Sequence, residues 1–101
     1  MEYIDKYFKK SGNVVDRLIG DEVVIVPVRS DLSVQGTIYN LDPVGALIWQ
    51  KIDGTSSVRE IREHIVKTMD VSREQAEKDL IEFLKDLESI GAIEEVEKLE
   101  K

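Results

Sequence analysis

From Ser72 to Gly91, apolar residues recur at every third or fourth position: Ala76, Leu80, Phe83, Leu84, Leu87 and Ile90. That spacing gathers them on one side of an α-helix; a strand, whose side chains alternate, could not. Ser72 with Gln75 makes a capping-box pattern at its start, and the helix is predicted to run to about Ile90 and stop at Gly91. Two shorter helices are predicted before it. Asp42 is an N-cap followed by Pro43, with Val44, Leu47, Ile48 and Ile52 at helical spacing and Gly54 as the stop. Ser57 with Glu60 caps the next, whose apolar positions are Val58, Ile61, Ile65, Val66 and Met69.

Ahead of Asp42 the period changes. Glu22 to Val28 reads EVVIVPV, a β-branched run, with Pro27 marking a strand end, an edge or a bulge. Val14 to Leu18 is a shorter candidate strand and Gly36 to Asn40 (GTIYN) a third. Gly20-Asp21 and Ser30-Asp31 mark the reversals, and Arg29 to Gln35 is polar and turn-prone. Short connections predict an antiparallel meander. The expected fold is α+β and winged-helix-like, a three-stranded antiparallel sheet followed by three helices in the order β-β-β-α-α-α. Residues 1–12 are read as an N-terminal segment, 13–96 as one domain and 97–101 as a charged tail. Tyr3, Tyr7 and Phe8 either pack back on that domain or cover a neighbour in a homodimer. Ala92 to Val96 either adds a strand or covers the core, and the tail from Glu94 is predicted to fray.

Composition narrows the function classes. The 101 residues suit a single domain, which buries roughly 60–70% of its unfolded surface and leaves little room for a deep active site. A formal net charge of −7 argues against nucleic acid and anionic membrane surfaces, and permits a basic or amphipathic partner. No cysteine means no disulfide, thiolate metal site or cysteine nucleophile. No signal-like or membrane-spanning run is present, so the cytoplasm is the expected location.

Nothing in the chain reads as catalytic equipment. His64 is the only histidine and has no partner at metal-binding spacing. The carboxylates interleave with cations on helix faces, as in Glu60 with Arg62, Glu74 with Lys78 and Glu82 with Lys85, a pattern of solvated helix support. No glycine-rich phosphate loop follows a strand. No enzyme activity, cofactor or metal is therefore expected. Trp49 reads as a core anchor, and Tyr39 either as core or as the flank of a groove.

A winged helix can read DNA with its third helix. Here that helix carries Arg73, Lys78 and Lys85 against Glu74, Glu77, Asp79, Glu82, Asp86 and Glu88, the wrong balance for phosphates. A DNA-binding regulator or general interaction domain is thus the alternative. The favoured use is the open edge of the third strand, where an extended peptide can add through its backbone. Ile81 lies roughly 140° from Ala76 on the third helix, at about 100° per residue, and either packs on a neighbour or faces that groove.

Arg17, the strand EVVIVP at Glu22 to Pro27, the stretch YNLDPVGALIWQKIDGTSSVREI at Tyr39 to Ile61 and the segment FLKDLESIGAI at Phe83 to Ile93 together resemble PqqD-like proteins, named for coenzyme PQQ synthesis protein D. The resemblance implies a recognition element for ribosomally made, modified peptides. Such domains bind the leader of a precursor peptide and present it to a modifying enzyme, often a radical S-adenosylmethionine enzyme, in PQQ biosynthesis or a related pathway. The leader would add beside the third strand, at Gly36, Thr37, Ile38, Tyr39 and Asn40. The third helix would supply the other wall from Lys78, Ile81, Glu82 and Lys85. The family pattern implies no catalytic residue.

Overall fold

The computed structural model describes residues 2–20, 22–27 and 39–99. A turn of 3-10 helix at Tyr3–Asp5 is followed by β1 (Tyr7–Lys10), β2 (Val14–Ile19), β3 (Glu22–Pro27) and β4 (Tyr39–Leu41). Then come α1 (Pro43–Gln50), β5 (Asp53–Ser57), α2 (Val58–Thr68), α3 (Arg73–Ser89) and β6 (Ile93–Val96). The class is α+β, as expected, with three helices. The order β-β-β-α-α-α is corrected, because the described strands form two three-stranded sheets, β5-β1-β6 and β2-β3-β4.

The helices form where their caps stand. The Asp42 carboxylate accepts the Gly45 N–H at 2.7 Å, and Pro43 occupies the first helical position. This helix closes at Gln50, not at Gly54: the Lys51 and Ile52 N–H groups donate to the Ile48 and Trp49 carbonyls, and Ile52 turns into the core at 1% exposure. Ser57 and Glu60 form the full reciprocal box on α2, at 3.1 and 2.7 Å. On α3 the Ser72 hydroxyl accepts the Gln75 N–H at 3.1 Å, while the Gln75 amide donates onward to Asp79. Gly91, at φ 75°, ends α3 in a Schellman motif, its N–H and that of Ala92 donating to the Glu88 and Leu87 carbonyls.

The sheet β2-β3-β4 is the predicted meander. Its β2–β3 hairpin pairs from Val14↔Pro27 to Ile19↔Glu22, and β4 pairs with β3 from Val23↔Leu41 to Ile25↔Tyr39. Of the expected third strand, Tyr39 and Asn40 are in β4. Gly36, Thr37 and Ile38 lie outside the described residues, as do Asp21, Val28 and the predicted turn region 29–35.

The second sheet was not predicted. Its central strand is β1, which pairs with β6 from Tyr7↔Val96 to Lys10↔Ile93 and with β5 at Tyr7↔Ser57 and Lys9↔Asp53. Phe8 on β1 is 2% exposed within the core. The N-terminal segment therefore packs back on the domain, and residues 7–10 share its second sheet and its core. The stretch after Gly91 is a strand, β6. The tail beyond it turns back, with the Leu99 N–H donating to the Gly54 carbonyl at 2.8 Å.

Both sheets and all three helices share one core, centred on Leu80, Leu84 and Leu87 of α3, each 0% exposed. Trp49 is a core residue, 3% exposed. Among the described residues no helix is long and apolar enough to cross a membrane, and no group of three or more His, Asp or Glu side chains could hold a metal.

An ion-pair network ties α2 to α3. Arg62 bonds Glu63 and Glu77, rather than the expected Glu60, and Arg73 grips Glu63 with two hydrogen bonds at 2.8 and 2.9 Å. The hydrogen bonds from Arg73, then from Arg62, hold the Glu63 carboxyl at about 2, down from 4.5. A carboxyl depressed on folding stabilises the fold fully above its unfolded value and loses that contribution as pH falls through its folded value. The wild-type chain is therefore expected to outlast Glu63→Gln near neutral pH, and the difference should shrink between pH 4.5 and about 2. Thermal unfolding of both proteins across that window is the measurement; a difference constant with pH would contradict the network.

Candidate functional site

Strand β4 runs directly into the Asp42 cap and α1, so one short segment supplies a sheet edge and a helix start side by side. Leu41 is buried and Tyr39 half-buried against the core, while Asn40 between them is exposed, as alternation requires. One edge of β4 pairs with β3. Among the described residues no strand pairs with the other.

Beside β4 is a groove of about 410 Å³. Its walls are Tyr39, Asn40, Leu41 and Asp42 from the strand and cap, Val44, Gly45 and Ile48 from α1, and Asp79 and Phe83 from α3. Gly45 leaves room for the Asp42 carboxylate that caps α1. A Cβ there would stand 3.2 Å from the Asp42 carboxylate, 3.5 Å from the Leu41 Cβ and 3.5 Å from the edge of the Phe83 ring. The floor is apolar, and the polar groups at its margins are Asn40, Asp42 and Asp79. Asp42 is engaged with the Gly45 N–H, and Asp79 accepts the Gln75 amide at 2.8 Å.

Of the residues expected at the site, Tyr39 and Asn40 line this groove. Tyr39 serves both as a groove wall and as packing for the core. Gly36, Thr37 and Ile38 are outside the described residues. The helix positions Lys78, Ile81, Glu82 and Lys85 do not line the groove; α3 offers Asp79 and Phe83 instead. Ile81 is two residues from each, about 160° around the helix. It is half-buried on the flank of α3 that carries Lys85 and Glu88. That flank meets the N-terminal segment: the Tyr3 hydroxyl donates to Glu88 at 3.0 Å, and the Lys85 Nζ stands 5.6 Å from the Tyr3 ring centre. Burial and the neighbouring Glu88 push the Tyr3 phenol far above its ordinary range.

Sequence reasoning missed Asp42, Val44, Gly45, Ile48, Asp79 and Phe83 as groove residues. One signal was available. Phe83 sits at the margin of the α3 apolar stripe, about 60° from Leu80, with Asp79 one turn before it on the same line.

None of the curated proteins compared with the chain matches it. Two solved structures resemble it. One is TbiB1 in complex with the TbiA(beta) leader peptide, 34% identical, covering 85% of this chain and 94% of that one with a TM-score of 0.71. The other is lasso peptide synthetase B1 complexed with the leader peptide, covering 86% and 96% with a TM-score of 0.73; at 21% identity the likeness is one of fold. The sequence pattern of coenzyme PQQ synthesis protein D (PqqD) matches residues 22–93, from the start of β3 to the first residue of β6. The chain belongs to the PqqD family.

Proposed function

We propose that the chain binds the leader of a ribosomally made precursor peptide by strand addition at β4 and presents it to a modifying enzyme, such as a radical S-adenosylmethionine enzyme. The observation that carries this reading is the edge of β4 that no other described strand pairs with, beside an apolar groove walled by α1 and α3. Main-chain hydrogen bonds supply affinity for any extended peptide, and side-chain pockets beside the strand supply choice. Family membership and a 34% identical relative complexed with a leader peptide support the same assignment. The chain acts as a non-catalytic carrier in the cytoplasm, and the chemistry resides in its partner. With α2 and α3 read as a winged-helix pair, the surface a DNA reader would present carries Asp79 and Asp86, which repel phosphate.

The test is an amide NMR titration with the precursor leader encoded beside this gene. Shifts are expected to cluster on Tyr39–Leu41, the start of α1 and the Asp79–Phe83 side of α3. Shifts confined to the β5-β1-β6 sheet, or none at saturating peptide, would remove the proposal.

A further inference from the structure

The groove's own side chains narrow the class of leader, on the reading just proposed. Asp79 and Phe83 lie one turn apart on the wall of α3, about 6 Å along its axis. A peptide added to β4 is extended, and its alternate side chains, about 6.6–6.8 Å apart, face the same way. Those two spacings agree to within about 1 Å. A peptide running along α3 therefore sets one side chain beside Phe83 and the next of the same face, two residues away, beside Asp79.

The two stations differ in chemistry. Around Phe83 the floor is Leu41, Val44, Gly45 and Ile48, which suits an apolar side chain. One turn from Phe83, α3 lines the groove with the Asp79 carboxylate, and no cation lines the groove among the described residues. The cations of α3 are placed elsewhere. Arg73 is held by Glu63, Lys85 stands over Tyr3, and Lys78, one residue before Asp79, projects about 100° away around the helix. The Asp79 carboxylate has already one donor, from Gln75, and retains lone pairs for another.

We infer that the groove selects leaders in which an apolar and a cationic side chain stand two residues apart. The test is a panning of a random dodecapeptide library on the wild-type chain and on Asp79→Asn, with the selected peptides then titrated against both. Asparagine keeps the shape and the Gln75 contact but removes the charge. The wild type is expected to enrich a Lys or Arg two positions from a large apolar residue. Asp79→Asn should keep the apolar preference, lose the basic one, and bind the wild-type winners about fivefold more weakly. The same charge-blind peptides from both proteins would overturn this inference and leave strand addition standing. Selected peptides that shift amides away from β4 and the Asp79–Phe83 wall would overturn the groove reading itself.

Discussion

Replacing Phe8 by alanine is expected to destabilise the chain by about 3–5 kcal/mol, the usual cost of emptying a buried aromatic site. Phe8 is 2% exposed and lies on the strand that joins β5 to β6. Its ring also meets that of Tyr3 at 5.9 Å, which anchors the N-terminal turn. A domain of this size has a total stability of about 5–15 kcal/mol, so the loss is a large share of it. Each kcal/mol moves the midpoint of a domain of about 100 residues by roughly 4–8 °C, so a fall of well over ten degrees should be seen. Phe8→Leu, which keeps most of the volume, should cost less than about 1.5 kcal/mol. Urea unfolding of the three proteins gives the comparison, with the slope unchanged and only the midpoint moving. A loss below about 1 kcal/mol for the alanine variant would mean that β1 does not hold the second sheet together.

The contrast between the helices and the second sheet shows which physics a sequence exposes. The helices were legible because their signals are local. Asp42-Pro43, Ser57 with Glu60 and Ser72 with Gln75 stand next to the turns they satisfy, and the stripe of α3 repeats over about four turns. The β2–β3 hairpin was legible from its β-branched run and a two-residue reversal. Strand β5 reads DGTSS, with no strand former except Thr55, and β1 reads YFKK, too short to display a period. They become strands through distant partners: β5 pairs with β1 across some fifty positions of sequence, and β1 also pairs with β6 near the other end of the chain. The same hidden contact explains the rotation of α3. Ile81 looked like a groove residue because it lies off the core stripe. Its flank is the one that packs on Tyr3, and nothing local announces that the N-terminal segment arrives there. With that flank taken, the side carrying Asp79 and Phe83 is left for the groove.

Proline placed on β4 separates the fold from the binding edge. Successive residues of a strand turn their N–H groups to opposite edges, so of Tyr39 and Asn40 one donates toward β3 and the other toward the open side. Amide exchange in the free protein identifies them, because the group bonded to β3 is protected and its neighbour is not. Proline at the outward position removes no ladder bond between the described strands, and edge strands tolerate it. It should leave the unfolding midpoint within a few degrees. It also deprives an incoming leader of a donor, at about 1–3 kcal/mol for the acceptor left unsatisfied, and places a ring in the path of its backbone. Leader affinity is then expected to fall about a hundredfold. Proline at the inward position should break the β3–β4 ladder and lower stability before binding can be measured. Alanine at either position retains the N–H and controls for the lost Tyr39 ring or Asn40 amide. An outward proline that binds leader as well as its alanine control does would show that the peptide docks without using the backbone of β4.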